Sequence, residues 1–314
     1  MVRELDVNRL RVLMEVAHAA SIAEAARKLS FTPSALSQQI SKLETELGTR
    51  LLERRPTGVT LTPVGAVLVE HGERVIGELR QARAAIDAAM GVQPQRLALG
   101  SFATAAQVLV PAALAALQRR YPRAELSLVD IEPPEGYGLV TSGDLEVLIT
   151  HRYPGVAPTP HPGLDRQPLL DDPLRLVLPA GHRLAGDAAH GGISLGQLET
   201  ETWISGAPGI PNRTCLETLA RQADVEFHVA YESADYHVIL ALVGAGLGVA
   251  LVPGSMLAGA DRSRVSVHGL RGLTPAREIS IVHRRRPTEL VRELAAFLRT
   301  AAGALSQKSP PEEP

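Results

Sequence analysis

Within the first 62 residues, apolar positions recur at helical spacing in three short runs, and each run opens on a capping signal. Leu10, Leu13, Met14 and Ala17 give the first run one buried stripe. Ser21-Ile22-Ala23-Glu24 has the form of a capping box, in which the hydroxyl accepts from the amide three residues on and the glutamate reaches back. A second, short helix therefore starts at Ser21, passes through Ala25 and Ala26, and ends near Leu29. Thr32 then supplies an N-cap oxygen and Pro33 occupies the first helical position, where its missing N–H costs nothing. In the third helix Leu36, Ile40, Leu43 and Leu47 form an apolar stripe, and Gly48 is placed to cap its end.

The opposite face of that third helix carries Ser34, Ser37, Gln38 and Ser41 at i, i+3, i+4 and i+7. A solvated face more usually holds Glu and Lys. Small hydroxyls and an amide instead let a helix backbone enter the major groove and meet base edges. Leu51 to Arg54 and Val59 to Leu61 read as short strands around Pro56-Thr57-Gly58, a hairpin wing flanked by Arg50, Arg54 and Arg55. Thr62-Pro63 repeats the cap signal and opens a helix to about Met90, closed by Gly91 and Pro94. Along it Val64, Leu68, His71, Val75, Leu79, Ala82, Ile86 and Ala89 follow spacings of three and four, the seam of a helix that packs on a partner. Packing against its own chain is the competing account.

From Leu97 the texture changes. Strand-like runs at Leu97 to Gly100, Glu125 to Asp130, Val147 to Thr150, Leu174 to Leu178, Phe227 to Tyr231 and Val249 to Val252 lie among helical segments. The helices are expected from the first strand to Arg120 and at about 213–222, 235–245 and 288–303. Strands separated by helices predict parallel sheets covered on both sides, which bind ligands at the carboxyl ends of their strands. The tail from Ser306 is polar and proline-rich, the composition of a disordered segment.

Composition narrows this only slightly. The 314 residues are 45% hydrophobic and 21% charged with a formal net charge of −2, so any DNA-binding surface must be local. Nine Lys and Arg against seven Asp and Glu in residues 1–60 leave placement, not charge, to decide. Cys215 is the sole cysteine, which excludes an intrachain disulfide and a cysteine zinc cluster. The ten histidines are scattered with no acid cluster beside them, so no metal site is expected, nor a cofactor. Charges at the N-terminus and the absence of a long apolar run argue against a signal peptide and a membrane partner, and place the chain in the cytoplasm.

Apparent enzyme signatures fail on context. Gly192-Ile193-Ser194-Leu195-Gly196 matches a nucleophile elbow, but Gly191-Gly192 precedes it where a strand is required, so Ser194 reads as a helix cap. Gly244, Gly246 and Gly248 follow a helix and precede a strand, the reverse of a dinucleotide fingerprint. Cys215 opens a helix whose N-terminus would lower a thiol pKa, against the plainer account of a small packed residue. No catalytic residue is assigned.

The stretches Leu10 to Leu13, Ser21 to Leu29, Thr32 to Ile40, Leu43-Glu44, Leu47-Gly48, Leu51 to Arg54 and Leu61 to Gly65 together resemble the LysR-type transcriptional regulators. The resemblance continues in outline through Gly100, Pro173 to Pro179 with His182, and Gly244 to Pro253. It implies an α/β chain in four parts: a winged helix-turn-helix over 1–62, a dimerising linker helix over 63–92, an effector domain over 93–305, and a tail over 306–314. The effector domain would be built like a periplasmic binding protein, from two α/β subdomains joined by two crossovers. The implied partners are double-stranded promoter DNA, a small-molecule effector, a second copy as dimer or tetramer, and RNA polymerase. Many members carry Arg at the place of Gln38, and Gln followed by Pro or Ser at the place of Pro33-Ser34, so base preference does not carry over.

Site residues are assigned on these grounds. Pro33, Ser34, Ser37 and Gln38 are expected at base edges; Ser21, Thr32, Lys42, Arg50, Arg54 and Arg55 at the DNA backbone. The effector is expected between the subdomains, at Ser101, Phe102 and Thr104, at Thr150, His151 and Arg152, at Trp203, Ile204 and Ser205, and at Glu232 and Ser233, each at the end of a predicted strand. A solute receptor or an enzyme on the same two-lobed scaffold is the alternative.

Overall fold

A computed structural model describes residues 5–55, 58–91, 96–157, 161–185, 192–257 and 261–308. The N-terminal unit contains α1 (Val7–Ala19), α2 (Ile22–Lys28) and α3 (Pro33–Leu47), followed by the hairpin of β1 (Leu52–Arg55) and β2 (Gly58–Leu61). The expected caps are present. Ser21 accepts from the Glu24 amide, Thr32 accepts from the Ala35 amide, and Gly48 adopts the left-handed conformation at φ +67° that glycine takes without strain. One apolar cluster joins the three helices to the strands and to α4 (Pro63–Ala89), with Leu13, Leu36, Leu43, Leu51 and Ile76 fully buried.

The remainder forms two α/β subdomains. β3 (Arg96–Ser101), α5 (Ala103–Val108), α6 (Val110–Arg120), β4 (Glu125–Asp130), α7 (Pro133–Ser142) and β5 (Val147–Arg152) begin the first. β6 (Leu164–Pro179) crosses into the second, which adds β7 (Thr202–Ser205), α8 (Pro211–Gln222), β8 (His228–Glu232), α9 (Tyr236–Gly244), β9 (Ala250–Pro253) and β10 (Val265–His268). β11 (Ala276–Arg284) returns to the first, and α10 (Glu289–Lys308) packs across it on α6. The sheet order is β10-β6-β11-β5-β3-β4, with β9 also on β6, and β7 and β8 pair separately.

The structure corrects the sequence reading at five points. The sheets are mixed: β3 is parallel to β4 and β5, and β7 to β8, whereas β11 is antiparallel to both β5 and β6. β11 was not foreseen because its core positions include Arg277, Ser280 and His283, which break the apolar run expected of a strand buried on both faces. The first half of β6 was missed for a related reason, since Pro168, Asp171, Asp172 and Pro173 all disfavour a strand. The single helix expected to reach Arg120 is two, divided at Leu109, because Pro111 has no N–H to continue the ladder. Finally, residues 306–308 extend α10 where a disordered tail was expected; 309–314 lie outside the described residues.

The crossing strands carry the joint between the subdomains. Leu164 to Pro173 of β6 pair with β11, and from Leu174 onward the same strand pairs with β9 and β10. Each subdomain has its own apolar clusters, so the two lobes are separate cores on shared strands.

Candidate nucleic-acid interface and effector cleft

α3 buries Leu36, Ile40 and Leu43 and turns its short polar side chains outward. Pro33, Ser34, Gln38, Ser41 and Lys42 are exposed and Ser37 is half-buried. Ser21 and Thr32 use their oxygens to accept cap hydrogen bonds; Thr32 Oγ1 also lies 3.1 Å from Ser34 Oγ. A capping hydroxyl still has its own proton to donate, so Ser21 can serve a phosphate without giving up its cap. Phe31, 48% exposed just before the cap, was passed over by a reading based on polar residues.

Two further interactions fix the wing. Glu44 of α3 accepts the Leu51 and Leu52 amides at 2.8 and 3.3 Å, tying the hairpin to the recognition helix. At Gly58 the backbone approaches α1 so closely that a Cβ would lie 2.5 Å from the Ala20 carbonyl, and Val59 N–H donates to that oxygen. Only glycine permits this approach. Arg50 is exposed beside the wing. Pro56, Thr57 and the side chains of Arg54 and Arg55 lie outside the described residues, as do Pro94 and Gly191.

α4 has two apolar faces. Gly65, Val69, Gly72, Ile76 and Gly77 are buried against the rest of the chain, the last so closely that a Cβ would meet the Thr141 carbonyl of α7 at 2.2 Å. The predicted seam lies elsewhere on the helix: Val64, Val75, Leu79 and Ile86 are exposed, Leu79 to 49%. α4 thus packs on its own chain by one face, where Leu68 of the expected seam also lies against the N-terminal core, and leaves Val64, Val75, Leu79 and Ile86 exposed on another.

The effector candidates divide into committed and uncommitted groups. Trp203 is fully buried in the second subdomain's core against Phe227 and donates its indole N–H to the Leu198 carbonyl; it packs the lobe and does not line a cleft. Ile204 is core for the same reason. Arg152 pairs with Glu278 at 2.6 Å. Thr150 is buried, its Oγ1 3.0 Å from the Tyr137 hydroxyl, and Ser101 Oγ donates to the Phe102 carbonyl. Ser205 is buried and accepts the Ser233 N–H through its carbonyl, while Glu232 is exposed.

The structure does bring residues from both lobes together. Phe102 sits edge-on to His151 at 4.5 Å, and His151 in turn to Tyr153 at 5.2 Å. The Tyr153 hydroxyl meets that of Tyr236 from α9 at 2.8 Å, and His237 reaches Gln107 of α5 at 3.1 Å. Beneath them Arg277 pairs with Asp172 at 2.9 Å and donates to the Tyr153 hydroxyl, and Asp172 also accepts from Ser255. Burial pushes the Tyr236 hydroxyl well above its ordinary pKa, so this floor is neutral hydroxyls around one closed ion pair.

Buried side-chain polar atoms without a hydrogen-bond partner occur, among the described residues, at Glu15, Thr104, His151, Asn212 and Arg213. Glu15 lies 2.9 Å from Lys28. The other four follow or end β3, β5 and β7, at the carboxyl ends of strands from both lobes. Each such orphan costs about 1–3 kcal/mol if left dry and unpaired, so each of these atoms needs water or another molecule as a partner. Asn212 and Arg213, at the start of α8, were missed because a Pro-Asn-Arg helix opening reads as an ordinary cap. Cys215, near the start of the same helix, is buried and its thiol is pushed up to about 12, the reverse of activation by a helix terminus.

A family model described as the LysR substrate binding domain matches residues 91–303, and one for the bacterial regulatory helix-turn-helix of the lysR family matches residues 7–66. The chain is 27% identical to the transcriptional regulator GltR of Bacillus subtilis, over 94% of this chain and 95% of that protein. It is 30% identical to the regulator TfdS of Cupriavidus pinatubonensis, over 81% and 84%. Full-length OxyR from Pseudomonas aeruginosa has the same fold, with a TM-score of 0.68 at 23% identity over 94% of this chain and 98% of that one. CbnR in complex with its target DNA gives a TM-score of 0.52 at 23% identity, over 95% and 100%.

Proposed function

Because this chain belongs to the LysR family of DNA-binding transcriptional regulators, with a helix-turn-helix and an effector-binding domain, we propose that it reads promoter DNA through α3 and responds to a small polar compound held between its lobes. Pro33, Ser34, Ser37 and Gln38 meet base edges; Ser21, Thr32, Lys42, Arg50, Arg54 and Arg55 hold phosphates. Two copies pair along the exposed seam of α4, which spaces their recognition helices on two half-sites. Further pairing to a tetramer and contact with RNA polymerase extend the same reading. Among the described residues no helix is long and apolar enough to cross a membrane.

The observation that carries the effector site is the set of buried polar atoms without a hydrogen bond, Thr104 Oγ1, His151 Nδ1, Asn212 Oδ1 and Arg213 Nη1; His151 is engaged through Nε2 with Glu132, and Arg213 through Nε with Glu217. One hydroxyl, one imidazole nitrogen, one amide oxygen and one guanidinium nitrogen suit a compound with an acidic group for Arg213 and hydroxyl or amino groups for the rest. Ser101, Phe102, Thr150, Ser205 and Ser233 frame that space from the sequence-predicted set. The ligand acts only through different affinities for two arrangements of the assembly, which shift the angle between the DNA-reading units. The test is a thermal-shift screen of small carboxylates on the full chain, where a ligand at about 100 times its Kd stabilises by roughly 2.7 kcal/mol. Any hit is then measured on a Thr104→Val, Arg213→Gln variant and in a footprint of the upstream DNA. Loss of the shift in the variant and a ligand-dependent footprint are expected. An unchanged shift would move the effector out of the cleft.

A further inference from the structure

The corner where α4 meets the first subdomain contains a second polar cavity, remote from the cleft floor. One wall is α4, with Glu78, Arg80 and Gln81; the other is the start of β5 at Glu146, the end of β11 at Arg284, the following Arg286, and Thr288 at the head of α10. The groove holds about 350 Å³, within the range of small-ligand pockets, which begin at roughly 300 Å³.

Its chemistry is that of an anion receptor. Arg284 is half-buried and spends Nη1 on the Val140 and Leu145 carbonyls at 2.7 and 3.2 Å. Among the described residues no carboxylate lies within ion-pair distance of Arg284 or of Arg286. Arg80 donates to the Ser142 carbonyl and pairs with Asp144, holding a third guanidinium on the facing wall. Burial lowers the Arg284 pKa and Arg80 pushes it the same way, while the nearby charges of Glu146 and Asp144 oppose them. Of the two facing carboxylates, Glu146 is spent on the Ala98 amide at 2.6 Å, and Glu78 is exposed. The groove also receives the N-terminal end of α10, a 20-residue helix whose first turn is capped by Thr288.

We propose that this groove is a second ligand site, selective for a phosphate group, that bridges the linker helix to the effector domain of the same protomer. Several guanidinium N–H donors and a helix N-terminus around one space fit a tetrahedral dianion with many acceptor oxygens better than a carboxylate. An occupant joins Arg80 of α4 to Arg284 and Arg286 across the corner, so it stabilises one angle between α4 and the lobe. DNA binding that depends on that angle is then coupled to phosphate by the same factor in both directions.

The test uses the full chain without DNA, comparing inorganic phosphate and glycerol 3-phosphate with sodium chloride at matched ionic strength. A saturable rise in Tm beyond chloride is expected. Tighter binding of the ester by about tenfold or more assigns the site to phosphorylated metabolites, and equal binding assigns it to the free ion. Arg284→Gln removes two hydrogen bonds to the backbone and risks misfolding, so the deciding variant is Arg286→Gln at an exposed position. It should weaken phosphate about tenfold, as expected for the removal of one charge-assisted hydrogen bond, with the ligand-free Tm unchanged. Thr104→Val in the cleft should leave the response intact. The proposal falls if phosphate acts no differently from chloride, if Arg286→Gln responds as wild type, or if Thr104→Val abolishes the response.

Discussion

The outward face of α3 and the joint between the lobes are both rich in polar side chains, yet they are built in opposite ways. Ser34, Ser37, Gln38 and Ser41 come from about two turns of one helix, are short and uncharged, and stand mostly in solvent. Tyr153, Asp172, Tyr236, Ser255 and Arg277 come from five separate places in the chain and form one closed, buried network. The first is suited to be completed by another molecule and contributes almost nothing to folding. The second completes itself, and the lobes are joined through it. Function and stability should therefore separate when each is mutated.

Asp172→Ala offers the largest expected effect. It leaves Arg277 buried and unpaired at the strand crossing, a destabilisation of about 3–5 kcal/mol seen as a large fall in Tm or denaturation midpoint. A variant as stable as wild type would break the comparison at its stronger end. Gln38→Ala should do the reverse: operator affinity falls by about 1–3 kcal/mol and binding to random DNA barely changes. Its Tm should stay within the roughly 0.5 kcal/mol expected for a surface change. Equal losses on both DNAs would remove Gln38 from base reading. Smallest in energy but sharpest in kind is Arg54→Ala. Measured at several salt concentrations, it should weaken cognate and random DNA alike and reduce the salt slope by about one unit, because one fewer phosphate is neutralised. An unchanged slope would make Arg54 a surface residue only.

α4 shows the same division inside one element. Its residues Val75, Leu79 and Ile86 follow from periodicity and remain exposed. Its glycine face follows from nothing in the periodicity. Gly72 and Gly77 matter because Met14 and the Thr141 carbonyl happen to arrive there, which only packing against α1 and α7 decides.

The elements of the N-terminal unit are legible in its own residues, down to the capping hydroxyls of Ser21 and Thr32 and the left-handed Gly48. Caps, helix stripes and hairpin turns are local physics, settled within a few residues. The alternation of strands and helices that follows is legible too. The direction of β6 and β11, and the partners of the polar groups they carry, are set by long-range packing. A buried Arg277 in a strand is acceptable solely because Asp172, 105 residues away, arrives beside it. Thr104 Oγ1, His151 Nδ1, Asn212 Oδ1 and Arg213 Nη1 belong to the same class: each looks ordinary in its own segment, and becomes a candidate binding atom only when burial removes water from it. Burial is a property of the assembled chain, which is why the exposed polar face of α3 was legible and the buried polar groups between the lobes were not.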